Sequence, residues 1–558
     1  MPFDLDRILR GACGGIQERD ADLPAWLAQS WQDPDGFMAA LGQLRDSATG
    51  LKSRPGQQAD FFSDLAVRHS ASDAVALRAF DPVDGWQTLT YRDLHRRAAV
   101  RASSWAAQGV KAGAKVCLIH RVGPELCISL LAALRLGARF ALLPPLGGAF
   151  VTRRIAAFAP DHLSAEPRYA GLFRGFESLV LQDRGEAAPG FTSHTYRPLD
   201  QLALVFSPLV DAPDRGVWLN ADEALRGALR DGLFTFSLRS KDVLAAPGFA
   251  TLQHLPALLF ATFLRGATFL HLRVQDLARD PSLLKSTPIR ALGVCAGLRD
   301  LLLRDPAVRL PEVSFWFRNP EEPIDWIAWP RWMEQCGLAE VPASNVLVDP
   351  AAGGSVLFSF PQKGQIHTEV LPIPGRSWAL DDLNLSGQPA PGDIGLLGPV
   401  PKKGRPPGYV VLSKVRGRYH YAGTRSPRRD GRVFPAAEVV AVAEAMPGVS
   451  GASVVAVPSG GAPVQSSFVL LVFIGGSGGA PSREEIGRRI ELQMGAPHLP
   501  DRIELVPLYP HRDDAGKTDD GWCKAQYLTG ALHFKAQHRM YQALTALRDA
   551  LRAKQEPG

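Results

Sequence analysis

Apolar positions along the chain alternate between a helical and an extended period. Thr90 opens a helical stretch as a candidate N-cap, with Asp93 three residues on as the carboxylate of a capping arrangement. Leu94, Ala98 and Trp105 follow at helical spacing, and the stretch ends near Gly109. Lys115 to His120 is a short unbroken apolar run, as expected of a parallel strand covered on both faces. Glu125 to Leu136 reads as a second helix and Gly137 to Pro144 as the next strand. This alternation predicts a doubly wound α/β domain.

Before this region, Trp26, Leu27, Trp31, Phe37, Leu41 and Leu44 recur at helical spacing, and Ser47 to Gln58 is a polar connector with Gly and Pro. The tryptophans suit either packing on the main body or a docking surface. Leu202 to Phe206 reads as a buried strand that runs into a turn and a new element. Leu255 to Leu264 is strongly apolar, but about half the length a membrane helix needs, so it is expected in the core. Beyond Cys523 a last helix carries Phe534, Met540, Leu544, Leu547 and Leu551 roughly on one face. It would either pack back or present a partner surface.

At 558 residues the chain exceeds one ordinary domain. Its net charge of +6 suits anionic small molecules or an acidic partner, without a nucleic-acid signature. The six cysteines form no C-x-x-C pair, and the first residues lack a secretory pattern, so a cytoplasmic setting is expected.

The segment from Leu89 to Pro145 resembles the opening of the adenylate-forming superfamily, which includes acyl- and aryl-CoA synthetases, peptide-synthetase adenylation domains and luciferase. The helix, Gly109-Val110-Lys111-Ala112-Gly113, strand, Pro124-Glu125 helix, Leu136-Gly137-Ala138 and strand follow that family's order. Further landmarks come in sequence: Arg265-Gly266-Ala267-Thr268, the loop Asn345 to Gly354, Pro391-Gly392-Asp393-Ile394-Gly395, and Val433 to Val439. The similarity runs from about 60 to 530. It implies a large N-terminal α/β domain of parallel-sheet layers and a small, mobile α+β C-terminal domain. The implied division is a helical extension over 1–60, a large AMP-binding-like domain over 61–423, a lid domain over 424–530 and a C-terminal helix over 531–558.

The family activates a carboxylate with ATP and then transfers the acyl group to a thiol. Four devices serve that reaction. The first is a Gly-, Ser- and Thr-rich loop on pyrophosphate, where backbone N–H groups and hydroxyls donate. Here the corresponding run is Ser207-Pro208-Leu209-Val210-Asp211-Ala212-Pro213-Asp214-Arg215-Gly216-Val217. Ser207, Arg215 and Gly216 are its candidate nucleotide-binding residues, whereas Asp211 and Asp214 oppose a polyphosphate and the prolines remove donors. An ordinary surface turn after a core strand accounts for the same residues.

The second device is a Thr-Glu pair that contacts phosphate and holds magnesium. A gapless alignment puts Pro350 and Ala351 there, so no metal ligand is assigned, although Asp349 lies nearby. Gly353 of the same loop is a candidate nucleotide contact. The third is an aspartate on the ribose hydroxyls, replaced by Lys414, which cannot accept hydrogen bonds. The fourth is a C-terminal Gly-Lys pair, for which Gly516 and Lys517 stand, Lys517 as the candidate catalytic residue. The domain hinge carries Ser426 where the family has aspartate, within a basic region.

Two functional readings follow. One is a degenerate homologue, inactive or weak in ATP-dependent activation, that binds an acyl or aryl group or a protein partner through the N-terminal extension or the C-terminal helix. The alternative is a divergent ATP-dependent ligase forming an acyl-AMP or a thioester with CoA or a carrier protein. ATP and magnesium are expected only under the alternative.

Overall fold

The computed structural model describes residues 23–42, 50–182, 192–206, 214–249, 256–322, 324–383, 394–399, 410–415, 418–424, 428–429, 432–458, 466–474, 479–513 and 515–555. The chain divides into two compact units. The first holds residues 1–145 and 153–425, the second 146–152 and 426–558.

The predicted alternation is present. Thr90 caps the helix Tyr91–Ala107 by accepting from the Asp93 backbone N–H, and its hydroxyl donates to the Asp93 carboxylate at 2.9 Å. Leu94, Ala98 and Trp105 form the buried stripe. Strand Lys115–Ile119, helix Pro124–Leu136 and strand Arg139–Leu143 follow as read. Gly137 ends the second helix in the left-handed conformation that favours glycine.

Two sheets carry the first unit. In the larger, strands Ala343–Asp349, Phe315–Arg318, Ala291–Gly293, Val243–Ala245, Thr268–His271 and Val75–Asp81 lie parallel in that order. Antiparallel hairpin partners close both ends, which makes nine strands. In the five-stranded sheet, His162–Ala165, Lys115–Ile119, Arg139–Leu143 and Gln201–Val205 are parallel, and Val217–Asn220 is antiparallel at the edge. A four-stranded antiparallel sheet follows, over Trp378–Leu383, Ile394–Pro399, Val410–Val415 and Arg418–Thr424. The second unit has a small sheet of Gly451–Pro458, Ser466–Phe473 and Arg502–Val506.

The apolar 255–264 stretch becomes helix Ala257–Leu264, every residue of it buried, as a core helix should be. Among the described residues no helix is long and apolar enough to cross a membrane. The N-terminal tryptophans pack inward. Trp26 meets the rings of Phe37 and Phe234 at 5.7 and 6.1 Å, and the Trp31 indole N–H donates to the Pro372 carbonyl. Phe37, Met38 and Leu41 are fully buried beneath them, so these helices cover the core.

A polar cluster lies inside the five-stranded sheet. His120, 4% exposed, places Nε2 at 2.9 Å from Ser164 Oγ and 3.4 Å from Ser129 Oγ, with Nδ1 at 3.9 Å from the Glu166 carboxylate. Arg101 donates to Ser129 and pairs with Glu125. Burial, reinforced by the Arg101 charge and opposed by Glu125, pulls the imidazole from 6.5 down to about 3. The unfolded chain therefore takes a proton on this histidine between pH 6.5 and 3 that the folded chain refuses, so stability falls as pH drops through that window. The His120 contribution to that loss is about 2 kcal/mol by pH 5. Urea midpoints at pH 7.5, 6 and 5 check it: His120→Gln should show a flatter pH dependence than the native chain, and parallel curves would refute the assignment.

Candidate functional site

In the larger sheet, neighbouring parallel strands end at a common edge, where ligand crevices form in open α/β sheets. Phe249 follows Val243–Ala245, Cys295 follows Ala291–Gly293, Glu321 and Glu322 follow Phe315–Arg318, and the 349–354 loop follows Ala343–Asp349. Aromatic rings fill part of this region: Phe317 meets Phe236 at 5.0 Å and Phe249 at 5.2 Å. Cys295 caps helix Ala296–Leu303, accepting from the Leu298 N–H, and burial raises its thiol to about 12, so it is no thiolate nucleophile.

Strands Gln201–Val205 and Val217–Asn220 pair as a hairpin, with the glycine-poor loop between them in sequence. Ser207 and Pro208 to Pro213 lie outside the described residues. Arg215 is exposed. Gly216 has φ +68, and a Cβ there would sit 2.8 Å from Leu204 Cγ, so the turn itself accounts for the glycine. Asn220 then caps helix Ala221–Arg230 in a full capping box with Glu223.

That helix joins the first candidate element to the second. Strand Ala343–Asp349 is buried throughout and leads into a 3₁₀ turn at Pro350–Ala352. Gly353 has φ +76, and a Cβ on it would lie 2.5 Å from the Glu223 carbonyl and 3.4 Å from Leu219 Cδ1. The hairpin of Arg215 and Gly216 and the loop of Gly353 are thus neighbours, packed through the start of one helix. Below them, Arg230 pairs with Asp231 at 3.0 Å. Asp231 accepts from the Ser355 backbone N–H at 2.6 Å, and Arg230 donates to the Ser355 carbonyl.

The magnesium position does not fit a cation. Pro350 and Ala351 bring no side-chain oxygen, and Asp349 is 2% exposed with its Oδ1 accepting from the Ala351 N–H at 2.9 Å. Its carboxylate caps the turn rather than facing an open site. Among the described residues no group of three or more His, Cys, Asp or Glu side chains could hold a metal ion.

Lys414 is exposed near the end of strand Val410–Val415, its ammonium 5.9 Å from the Tyr419 ring centre. Gly408, Tyr409, Pro391 to Asp393, Lys402, Lys403, Arg405, Arg416 and the hinge residues Arg425 and Ser426 lie outside the described residues.

Sequence reasoning missed a buried polar network at the same sheet edge. Arg318, 2% exposed, donates to Asn345 Oδ1 at 3.0 Å and to the Glu322 carbonyl. Burial lowers its pKa to about 10. The Asn345 amide donates to the carbonyls of His367 and Glu369, and the Tyr421 hydroxyl donates to Glu321 at 2.9 Å. Arg418 pairs with Glu369 at 2.7 Å. These contacts tie the four-stranded sheet to the edge that holds Asn345. The signal available was the polar run Arg318-Asn319-Pro320-Glu321-Glu322 directly after the buried Phe315–Phe317.

In the second unit, Gly516 and Lys517 form the end of a tight turn. Asp513 Oδ1 accepts from the backbone N–H groups of Ala515 and Lys517 at 3.0 and 2.8 Å. The Arg512 guanidinium donates to the Gly516 carbonyl at 2.6 Å, and Gly516 has φ +74. Lys517 is exposed on this braced turn.

The first unit is thus built on two largely parallel α/β sheets, and the second is a small α+β unit. Residues 64–159 match the AMP-binding enzyme family. The fold is similar to o-succinylbenzoate CoA synthetase of Bacillus subtilis (TM-score 0.64, 13% identity, covering 83% of this chain and 97% of that one). It is equally similar to an amide bond synthetase of Marinactinospora thermotolerans (TM-score 0.64, 17% identity, 84% and 99% covered). At these identities the likeness is one of fold. Acetyl-coenzyme A synthetase of Vibrio cholerae is 32% identical over 140 residues, a stretch spanning 21% of this chain and 21% of that enzyme. The family match thus rests on residues 64–159, and over most of the chain the likeness is one of fold.

Proposed function

We propose that this chain is a divergent ATP-dependent ligase that activates an acyl or aryl acid as its acyl-AMP and passes it to a thiol of CoA or a carrier protein. In the first step a carboxylate oxygen attacks the α-phosphorus and pyrophosphate leaves; in the second the thiol sulfur attacks the carbonyl carbon and AMP leaves. The observation that carries the reading is the exposed Lys517 on its Asp513-braced turn, in a scaffold of the adenylate-forming type. A cation there meets the charge that develops at the α-phosphate. Exposed Arg215 at the 201–220 hairpin offers a second cation for pyrophosphate. No step is assigned to magnesium, because the 349–351 turn does not fit it. The acceptor is open to an amine as well, as the name of the amide bond synthetase indicates for that enzyme. The unpaired Cys117, Cys127, Cys336 and Cys523, all buried, fit a reducing cytoplasm.

The committed carboxylate of Asp349 and the apolar pair beside it favour a second reading, a pseudoenzyme that binds an acyl group or a protein without activating anything. Pyrophosphate exchange against a broad panel of carboxylic acids, with thermal shift by ATP, separates the two. Acid-dependent exchange supports the ligase. No exchange with any acid, together with no ATP-induced rise in melting temperature, leaves only the binding role.

A further inference from the structure

The 25-residue helix Ala531–Gln555 is anchored at its beginning. Leu532 is buried, His533 lies 3.3 Å from Glu504, Lys535 sits over the Trp522 ring and Arg539 over Tyr509. Past that point its apolar side chains face outward: Met540 is 54%, Tyr541 71%, Leu544 62% and Leu547 58% exposed.

Their spacing is not that of scattered surface residues. Met540, Leu544, Leu547 and, next in the sequence, Leu551 follow one another at steps of four, three and four, the 3.5-residue repeat of a two-helix seam. One margin of the seam is Ala536 and Ala543; the other is Phe534, Tyr541 and Arg548. Lys535, Arg539 and Asp549 fall on the remaining face. A membrane-surface helix carries cations along the borders of its apolar face, and an acidic partner would need them there too. Here one border is alanine, which lets a second helix approach closely, and Arg548 is the one charge on either.

We propose that the same helix of a second copy of this chain covers the seam, running antiparallel. A parallel pair would set His533 on the partner's His533. An antiparallel pair centred between Leu544 and Leu547 sets Leu544 against the partner's Leu547. It also puts Arg548 beside the partner's Tyr541, where a guanidinium and an aromatic face attract. A seam this short makes an interface below the usual size of stable complexes, so the pair forms and dissociates at about micromolar concentration.

Sedimentation equilibrium of the full chain from about 1 to 100 µM tests this, the range being set by that interface size. The native chain should show a monomer–dimer equilibrium, and Leu544→Asp with Leu547→Asp should be monomeric throughout, with unchanged circular dichroism because both side chains are exposed. Mixed Leu544→Cys and Leu547→Cys chains should cross-link to each other on oxidation more readily than either alone. A native chain that stays monomeric, or a dimer that survives the double substitution, overturns the proposal; preferential self-linking of Leu544→Cys overturns the antiparallel order. Pelleting of a monomeric native chain with phosphatidylserine vesicles, lost in the double variant, would assign the seam to a lipid surface instead.

Discussion

Replacing Gly227 with alanine is expected to destabilise the first unit by about 3 kcal/mol or more, although the same change in an exposed helix interior stabilises by up to about 1 kcal/mol. Gly227 lies within helix Ala221–Arg230, and a Cβ built on it falls 1.7 Å from the Gly353 carbonyl oxygen and 2.6 Å from its carbon. One of the two backbones must move. The helix is held by its capping box at Asn220 and by the Arg230–Asp231 pair on Ser355. The loop is held by the Asp349 cap and by Gly353, whose own Cβ position is occupied by the Glu223 carbonyl. Neither side yields cheaply, and the strain falls on the junction between the hairpin and the 349–354 loop. Gly487 is the internal contrast: it lies in helix Arg483–Met494, and its Cβ would meet only Ile503 Cδ1, at 3.6 Å. Gly487→Ala should therefore raise stability by a few tenths to 1 kcal/mol. Urea midpoints and melting temperatures of the two variants should move in opposite directions. A Gly227→Ala chain as stable as the native one would show that the helix and the loop are not in contact.

This junction shows what a sequence can and cannot reveal. The strands and helices between Thr90 and Leu143 were legible because burial on both faces leaves continuous apolar runs, and because Thr90 and Asp93 sit at the offset a cap needs. The core role of Ala257–Leu264 followed from length alone. Alignment showed that Pro350 and Ala351 replace oxygen ligands, yet it was silent on the Asp349 carboxylate, whose partner is decided by backbone geometry two residues away. Gly353 was read for its proximity to a nucleotide; its missing side chain also admits the Glu223 carbonyl, a contact between segments 130 residues apart that no local pattern encodes. The Arg318–Asn345 and Tyr421–Glu321 pairs were invisible for the same reason. At the tail, the single helix read beyond Cys523 is two, Asp520–Leu528 and Ala531–Gln555, divided at Gly530 with φ +75. A glycine between periodic segments was the available signal.

Under the proposed ligase function, Lys517→Ala should lower acid-dependent pyrophosphate exchange about a hundred- to a thousandfold, the usual cost of removing one donor from a developing oxyanion. The melting temperature should stay where it is, because the side chain is exposed and the turn is built from other groups. Asp513 accepts the two backbone N–H groups and Arg512 donates to the Gly516 carbonyl, so the loop survives without the ammonium. That independence makes the measurement diagnostic, since lost rate with unchanged stability cannot come from misfolding. Lys517→Arg keeps the charge but spreads it over a planar fork, and should recover only part of the rate. Asp513→Ala removes the brace and leaves the cation. It should lower exchange less than Lys517→Ala, because the lysine still samples its working position but is no longer held there. Exchange that is robust in the native chain and equal in Lys517→Ala would show that the phosphate charge is met elsewhere, with exposed Arg215 the next cation to test.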